Sequence, residues 1–119
     1  MKFHRLQYLL TKGQFIARRH YCITSKVYEY AKVAQFEAYK KDRKQCPTMA
    51  DIYYQLIIEG LKHAKKADFK KLPKNHTVRI KLGNPINTQL FEVREKSECK
   101  TDIFSFAVCL MEAAIDNQK

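Results

Sequence analysis

Apolar positions along the chain follow two rhythms. From Ser25 they recur at steps of three and four (Val27, Tyr30, Ala31, Ala34, Ala38) through EYAKVAQFEAYKKDRK, a stretch rich in helix formers, which predicts a helix ending before Pro47. Thr48 followed three residues later by Asp51 supplies a cap and an answering acid for a new first turn. The second helix, DIYYQLIIEGLKHAKK, gathers Ile52, Leu56, Ile57, Gly60 and Leu61 on one side. Lys62, Lys65 and Lys66 load its C-terminal end, where the helix dipole favours cations.

At His76 the rhythm changes to two. In HTVRIKL, Val78, Ile80 and Leu82 alternate with Thr77, Arg79 and Lys81, which predicts a strand with one buried and one solvated side. Gly83-Asn84-Pro85 follows, with Pro85 suited to a first helical position, so a helix over INTQLFEVREKSE starts directly after the strand. A turn near residues 97 to 100 leads into TDIFSFAVCLMEAAIDN, whose nearly unbroken apolar run predicts a buried last helix.

These elements divide the chain into a basic arm (1–19), a first unit (20–66), a lysine-rich exposed connector (67–75) and a second unit (76–119). In the first unit a strand should precede the Ser25 helix, with Tyr21, Ile23 and Ser25 alternating with Cys22, Thr24 and Lys26. Asp51-Ile52-Tyr53 and Asp102-Ile103-Phe104 suggest a repeat. Matching Ile58-Glu59-Gly60 to Met111-Glu112-Ala113 then needs a shift of two.

Charge narrows the function. The chain carries 23 Lys and Arg against 12 Asp and Glu, a formal +11, and the entire excess lies before residue 76. Such a field repels itself unless a polyanion lies against it, and nucleic acid is the commonest one. Cys22, Cys46, Cys99 and Cys109 are too irregularly spaced for a zinc or redox motif and read as reduced thiols, with Cys109 as core filler. His20 and Cys22 form an H-x-C pair without a second pair, so neither metal nor other cofactor is expected. The start is basic and acid-free, as transit peptides are, but lacks serine enrichment and a clear cleavage site. With no apolar run long enough for a membrane span, a cytoplasmic protein is expected. No nucleophile elbow or phosphate-cradling glycine loop is present, so an enzyme is not expected.

Strand, Gly-Asn-Pro junction, helix, turn and buried helix within 76–119 resemble the ribbon-helix-helix (Arc/MetJ-type) DNA-binding family. The resemblance implies a mainly α fold with a short β-ribbon, in which two units interlock and the ribbon enters the DNA major groove. One unit leaves its strand edge and helix faces open, so the partner unit is either the first half of this chain, giving a pseudo-dimer, or a second chain. Tandem versions are similar to some conjugation accessory proteins.

On this reading the base-reading residues are Thr77, Arg79 and Lys81, with Thr24 and Lys26 from the first unit. Arg and Lys donate to guanine, and the Thr methyl and hydroxyl suit thymine or an adenine edge. Phosphates are expected at the starts of the second helix of each unit, near Thr48 and near Lys100 and Thr101, and at Arg18, Arg19 and Lys26. The expected function is sequence-specific binding of double-stranded DNA, as a repressor or as a transfer or partition factor of a plasmid or other mobile element. Its partners would be that DNA and itself or other proteins of a nucleoprotein complex. The alternative is a small RNA- or ribosome-associated protein stacking bases on Tyr28, Tyr30, Tyr39, Tyr53 and Tyr54. An antitoxin of the same fold is a further rival, but only a few residues follow the last helix.

Overall fold

A computed structural model describes residues 3–5, 16–97 and 99–118. The elements are β1 (Ile16–Ile23), α1 (Ser25–Lys41), α2 (Met49–Lys62), β2 (His76–Gly83), α3 (Asn84–Lys96) and α4 (Ile103–Asp116), with a single 3-10 turn at Ala64–Lys66. The protein is thus mainly helical with one two-stranded antiparallel sheet. The two strands pair with each other along their full length, from Ile16 opposite Gly83 to Ile23 opposite His76. Strand-helix-helix therefore occurs twice, and a single chain supplies both strands of the ribbon.

β1 corrects the expectation for the first half. It begins at Ile16, inside the segment assigned to an arm, and stops at Ile23. Thr24 does not continue it: this residue caps α1, its hydroxyl accepting from the Val27 amide at 3.3 Å. A polar side chain that satisfies a free helical amide is better placed at the cap than in a ladder. Of the expected arm, residues 3–5 pack near α1 and α2: Phe3 meets Tyr30 edge-on at 6.2 Å, and the His4 amide donates to Gln55 Oε1 at 3.0 Å. Residues 6–15, with Leu6, Leu9, Leu10 and Phe15, lie outside the described residues.

The repeat is real in its burial, but in a different register. The caps Thr24 and Gly83 are 59 residues apart, and that offset carries the buried Tyr21, Ile23, Val27 and Ala31 onto Ile80, Leu82, Ile86 and Leu90, three buried and Ile86 partly so. Thr48 and Asp102 cap α2 and α4, 54 residues apart. That offset carries all five buried residues of α2 (Ile52, Tyr53, Leu56, Ile57, Gly60) onto buried residues of α4 (Phe106, Ala107, Leu110, Met111, Ala114). The two acids aligned from sequence stand at non-equivalent positions: Asp51 lies inside its helix, whereas Asp102 is itself the cap.

These two helices form the centre of the core. Gly60 lets α2 approach the α4 backbone at Leu110 so closely that a Cβ there would sit 2.6 Å from the Leu110 carbonyl carbon. α2 also packs on β2 and α4 on β1, so the helical layer covers one side of the ribbon. The connector is not a free linker. Phe69 stacks on Phe106 at 4.7 Å, Leu72 is half-buried against the core, and the Cys109 thiol donates to the Lys70 carbonyl at 3.3 Å. Burial raises the pKa of that thiol, so Cys109 is neutral core material, as expected.

One core residue is imperfectly served. Tyr53 is buried with no hydrogen-bond partner for its hydroxyl, and burial, seconded by Tyr28, pushes its pKa up to about 12. An unpaired buried hydroxyl costs about 1 to 3 kcal/mol. Tyr53→Phe should therefore raise the urea midpoint at constant m-value, a gain of about 1 kcal/mol. A lowered midpoint would show that the hydroxyl has a partner.

Candidate nucleic-acid interface

A paired two-stranded ribbon covered by helices on one side leaves a second side to solvent, and alternation decides which residues it carries. In β2, Ile80 and Leu82 are buried under the helices, and Val78 and His76 partly so, with His76 stacked on Tyr28 at 4.0 Å. Thr77 and Arg79 are exposed, and Lys81 has the same parity. In β1, Tyr21 and Ile23 are buried, whereas His20 and Cys22 are exposed and share parity with Arg18. Cross-strand partners are Arg18 with Lys81, His20 with Arg79, and Cys22 with Thr77. The last pair brings Sγ and Oγ1 to 3.7 Å.

Arg79 sits at the middle of this side, and neither it nor His20 has a hydrogen-bond or ion-pair partner among the described residues. An unpaired guanidinium on a sheet retains its full set of donors for an incoming acceptor. Arg19 has the parity of the buried Tyr21 but is exposed, and its charge partly offsets the desolvation that raises the Tyr21 pKa to about 12.

Thr24 and Lys26 leave the expected reading set. Thr24 is buried and donates to Glu112 Oε2 at 2.7 Å, and Lys26 Nζ meets Asp116 Oδ1 at 2.6 Å. Both fasten the start of α1 to the end of α4, on the helical side of the ribbon. In their place the geometry supplies Cys22, which alternation groups with Thr24 and Lys26, and His20, which the sequence offers only as half of an incomplete H-x-C metal pair. Aligning the two caps, Thr24 and Gly83, would have found them, because it superimposes His20 on Arg79.

The helix starts expected to hold phosphate already carry anions. At α2 the Thr48 hydroxyl accepts from the Asp51 amide at 3.1 Å while the Asp51 carboxylate accepts from the Thr48 amide at 3.0 Å. At α4 the Asp102 carboxylate accepts from the Ser105 amide at 2.8 Å. Thr101 is engaged too: its carbonyl accepts from Arg94 Nε at 2.7 Å and its hydroxyl lies 2.8 Å from Cys99 Sγ. Lys100 is exposed. Asp102, Ser105 and Lys74 line a groove of about 210 Å³ with His20 and Cys22, so the start of α4 abuts the β1 side of the ribbon.

The Asp102 pKa is lowered chiefly by the Ser105 amide, against some desolvation, with help from the Ser105 hydroxyl, the Phe104 amide and Lys74. A carboxylate held below its ordinary value of 3.8 stabilises the fold above that pH and ceases to do so as pH falls through the folded value. Asn also caps helices, so Asp102→Asn should cost only about 0.3 kcal/mol of charge-dipole energy at pH 7, given the exposure of the site. That gap should close below pH 3.8, as read from urea curves at pH 7 and pH 3. A gap independent of pH would remove the charge from the account.

Of the five tyrosines considered for base stacking, Tyr53 is buried, Tyr28, Tyr30 and Tyr54 are half-buried, and only Tyr39 is exposed. Among the described residues no cluster of His, Cys, Asp or Glu could hold a metal ion, and no helix is long and apolar enough to cross a membrane. The chain matches no protein-family model, no curated protein and no solved structure.

Proposed function

We propose that this protein is a single-chain ribbon-helix-helix protein that binds double-stranded DNA of a particular sequence by laying the outer side of its β1–β2 ribbon in the major groove. In this reading it acts in the cytoplasm, as a repressor or as an accessory factor in the transfer or partition of a mobile element. One observation carries the proposal: an exposed Arg79, without a hydrogen-bond or ion-pair partner among the described residues, at the centre of a two-stranded antiparallel ribbon whose other side is packed on helices. A ribbon of this width fits the major groove, and Arg pairs bidentately with guanine O6 and N7. The +11 charge supports the reading, because neutralising phosphates supplies most of the sequence-independent affinity. Of the tyrosines considered for the RNA alternative, Tyr53 is buried, Tyr28, Tyr30 and Tyr54 are half-buried, and only Tyr39 offers an exposed ring for stacking.

Footprinting the full chain on duplex DNA surrounding its own gene tests the proposal. A bounded protected segment is expected, with affinity falling by roughly 0.9 decades per decade of salt for each phosphate contacted. Equal affinity for RNA or single strands of the same sequence, with no bounded footprint, would refute it.

A further inference from the structure

A perfect repeat would present the same three outward residues twice, related by a two-fold axis through the middle of the ribbon. The strand register is the one such an axis requires: the 59-residue offset that aligns the buried positions carries His20 onto Arg79, and these two are also cross-strand partners. The residues on the parity of exposed Arg79 do not obey it. Arg18 is equivalent to Thr77, His20 to Arg79, and Cys22 to Lys81.

Because the strands are antiparallel, the mismatches sort by end. Arg18 stands opposite Lys81 at one end, and Cys22 opposite Thr77 at the other. Two cations mark the first end and none the second. The start of α4, with its anionic cap Asp102 beside Lys74, lies at the Cys22 end.

We infer that the target is a non-palindromic duplex, bound by one chain in one orientation, with guanines at the Arg18–Lys81 end and thymine methyls at the Cys22–Thr77 end. This rests on the DNA-reading proposal above. Arg and Lys only donate, and guanine presents the paired O6 and N7 acceptors that suit them, whereas the Thr methyl and a weakly polar thiol suit the thymine methyl. Turning the chain end for end would place the donors over methyl groups and the neutral pair over guanine. A palindrome can satisfy only one end.

Selection of duplexes from a randomised pool by the full chain, followed by affinities for the selected site and for inverted repeats built from each half, tests the inference. The expected motif lacks two-fold symmetry, with each inverted repeat bound about tenfold more weakly or worse. The triple variant His20→Arg, Cys22→Lys, Thr77→Arg repeats the basic outward set on both strands at exposed positions. It should shift preference to the inverted repeat of the guanine half, with its circular dichroism melt confirming the fold. A palindromic motif bound by the unaltered chain as tightly as any other site would overturn the inference while leaving DNA reading intact. Failure of any duplex to enrich would overturn both.

Discussion

If the ribbon reads DNA as proposed, changing Arg79 and Lys81 together to alanine should abolish the preference for one duplex sequence while leaving weak, salt-sensitive binding. Each good side-chain-to-base pair discriminates by about 1 to 3 kcal/mol, so losing two removes roughly 2 to 6 kcal/mol of specificity. On that proposal the remaining basic residues would still contact phosphate, a contribution that carries no sequence information. The melting temperature should hardly move, because Arg79 is exposed and has no hydrogen-bond or ion-pair partner among the described residues. Competition between specific and scrambled duplexes at two salt concentrations reads both quantities. Preference that survives the double change would place the reading residues elsewhere than on β2.

Placing a side chain at Gly60 should damage the fold more than any surface change. A Cβ there would fall 2.6 Å from the Leu110 carbonyl carbon and 2.8 Å from Leu110 Cβ, and the obstacle is largely backbone, which cannot rotate aside. α2 would have to withdraw from α4 along the seam where Leu56, Ile57, Leu110 and Met111 are fully buried. Gly60→Val should then cost about 3 kcal/mol or more, the upper range for overpacking, from a total stability of about 5 to 15 kcal/mol. A fall of roughly 10 °C or more in melting temperature is expected by calorimetry. A variant melting within a degree or two of the parent would mean that the helices are not in contact there.

The second half was legible because its local signals agree. Strict alternation in HTVRIKL, a proline in the first turn and a nearly continuous apolar run each point to one element. β1 was harder, because the period-two pattern of IARRHYCI is degraded: Ala17 is small and the charged Arg19 falls on the inward parity, leaving only Tyr21 and Ile23 as a clear buried pair. With so short a signal, the strand was drawn too far towards α1, over a threonine whose better use is a cap. The repeat was misaligned for a related reason. Asp51 and Asp102 both bind free amides at a helix start, but from inside the turn in one case and from the cap in the other, so matching acids by type shifted the alignment by three residues. Packing of the connector was hidden because Phe69 and Leu72 are isolated among lysines, and only tertiary contact with α4 shows that they are anchors. The exposed strand position of Arg79 is legible from alternation in HTVRIKL, whereas that His20 faces it shows only in the strand pairing.

Joining both strands of the ribbon in one polypeptide has a consequence for dose. A reading surface assembled from two molecules comes apart on dilution, and occupancy of its site then climbs with the square of concentration. Here the second strand is always delivered with the first by covalent linkage, so a surface built on the ribbon stays whole on dilution. On the DNA-binding proposal, occupancy should then rise in simple proportion to concentration until saturation, a graded response rather than a threshold.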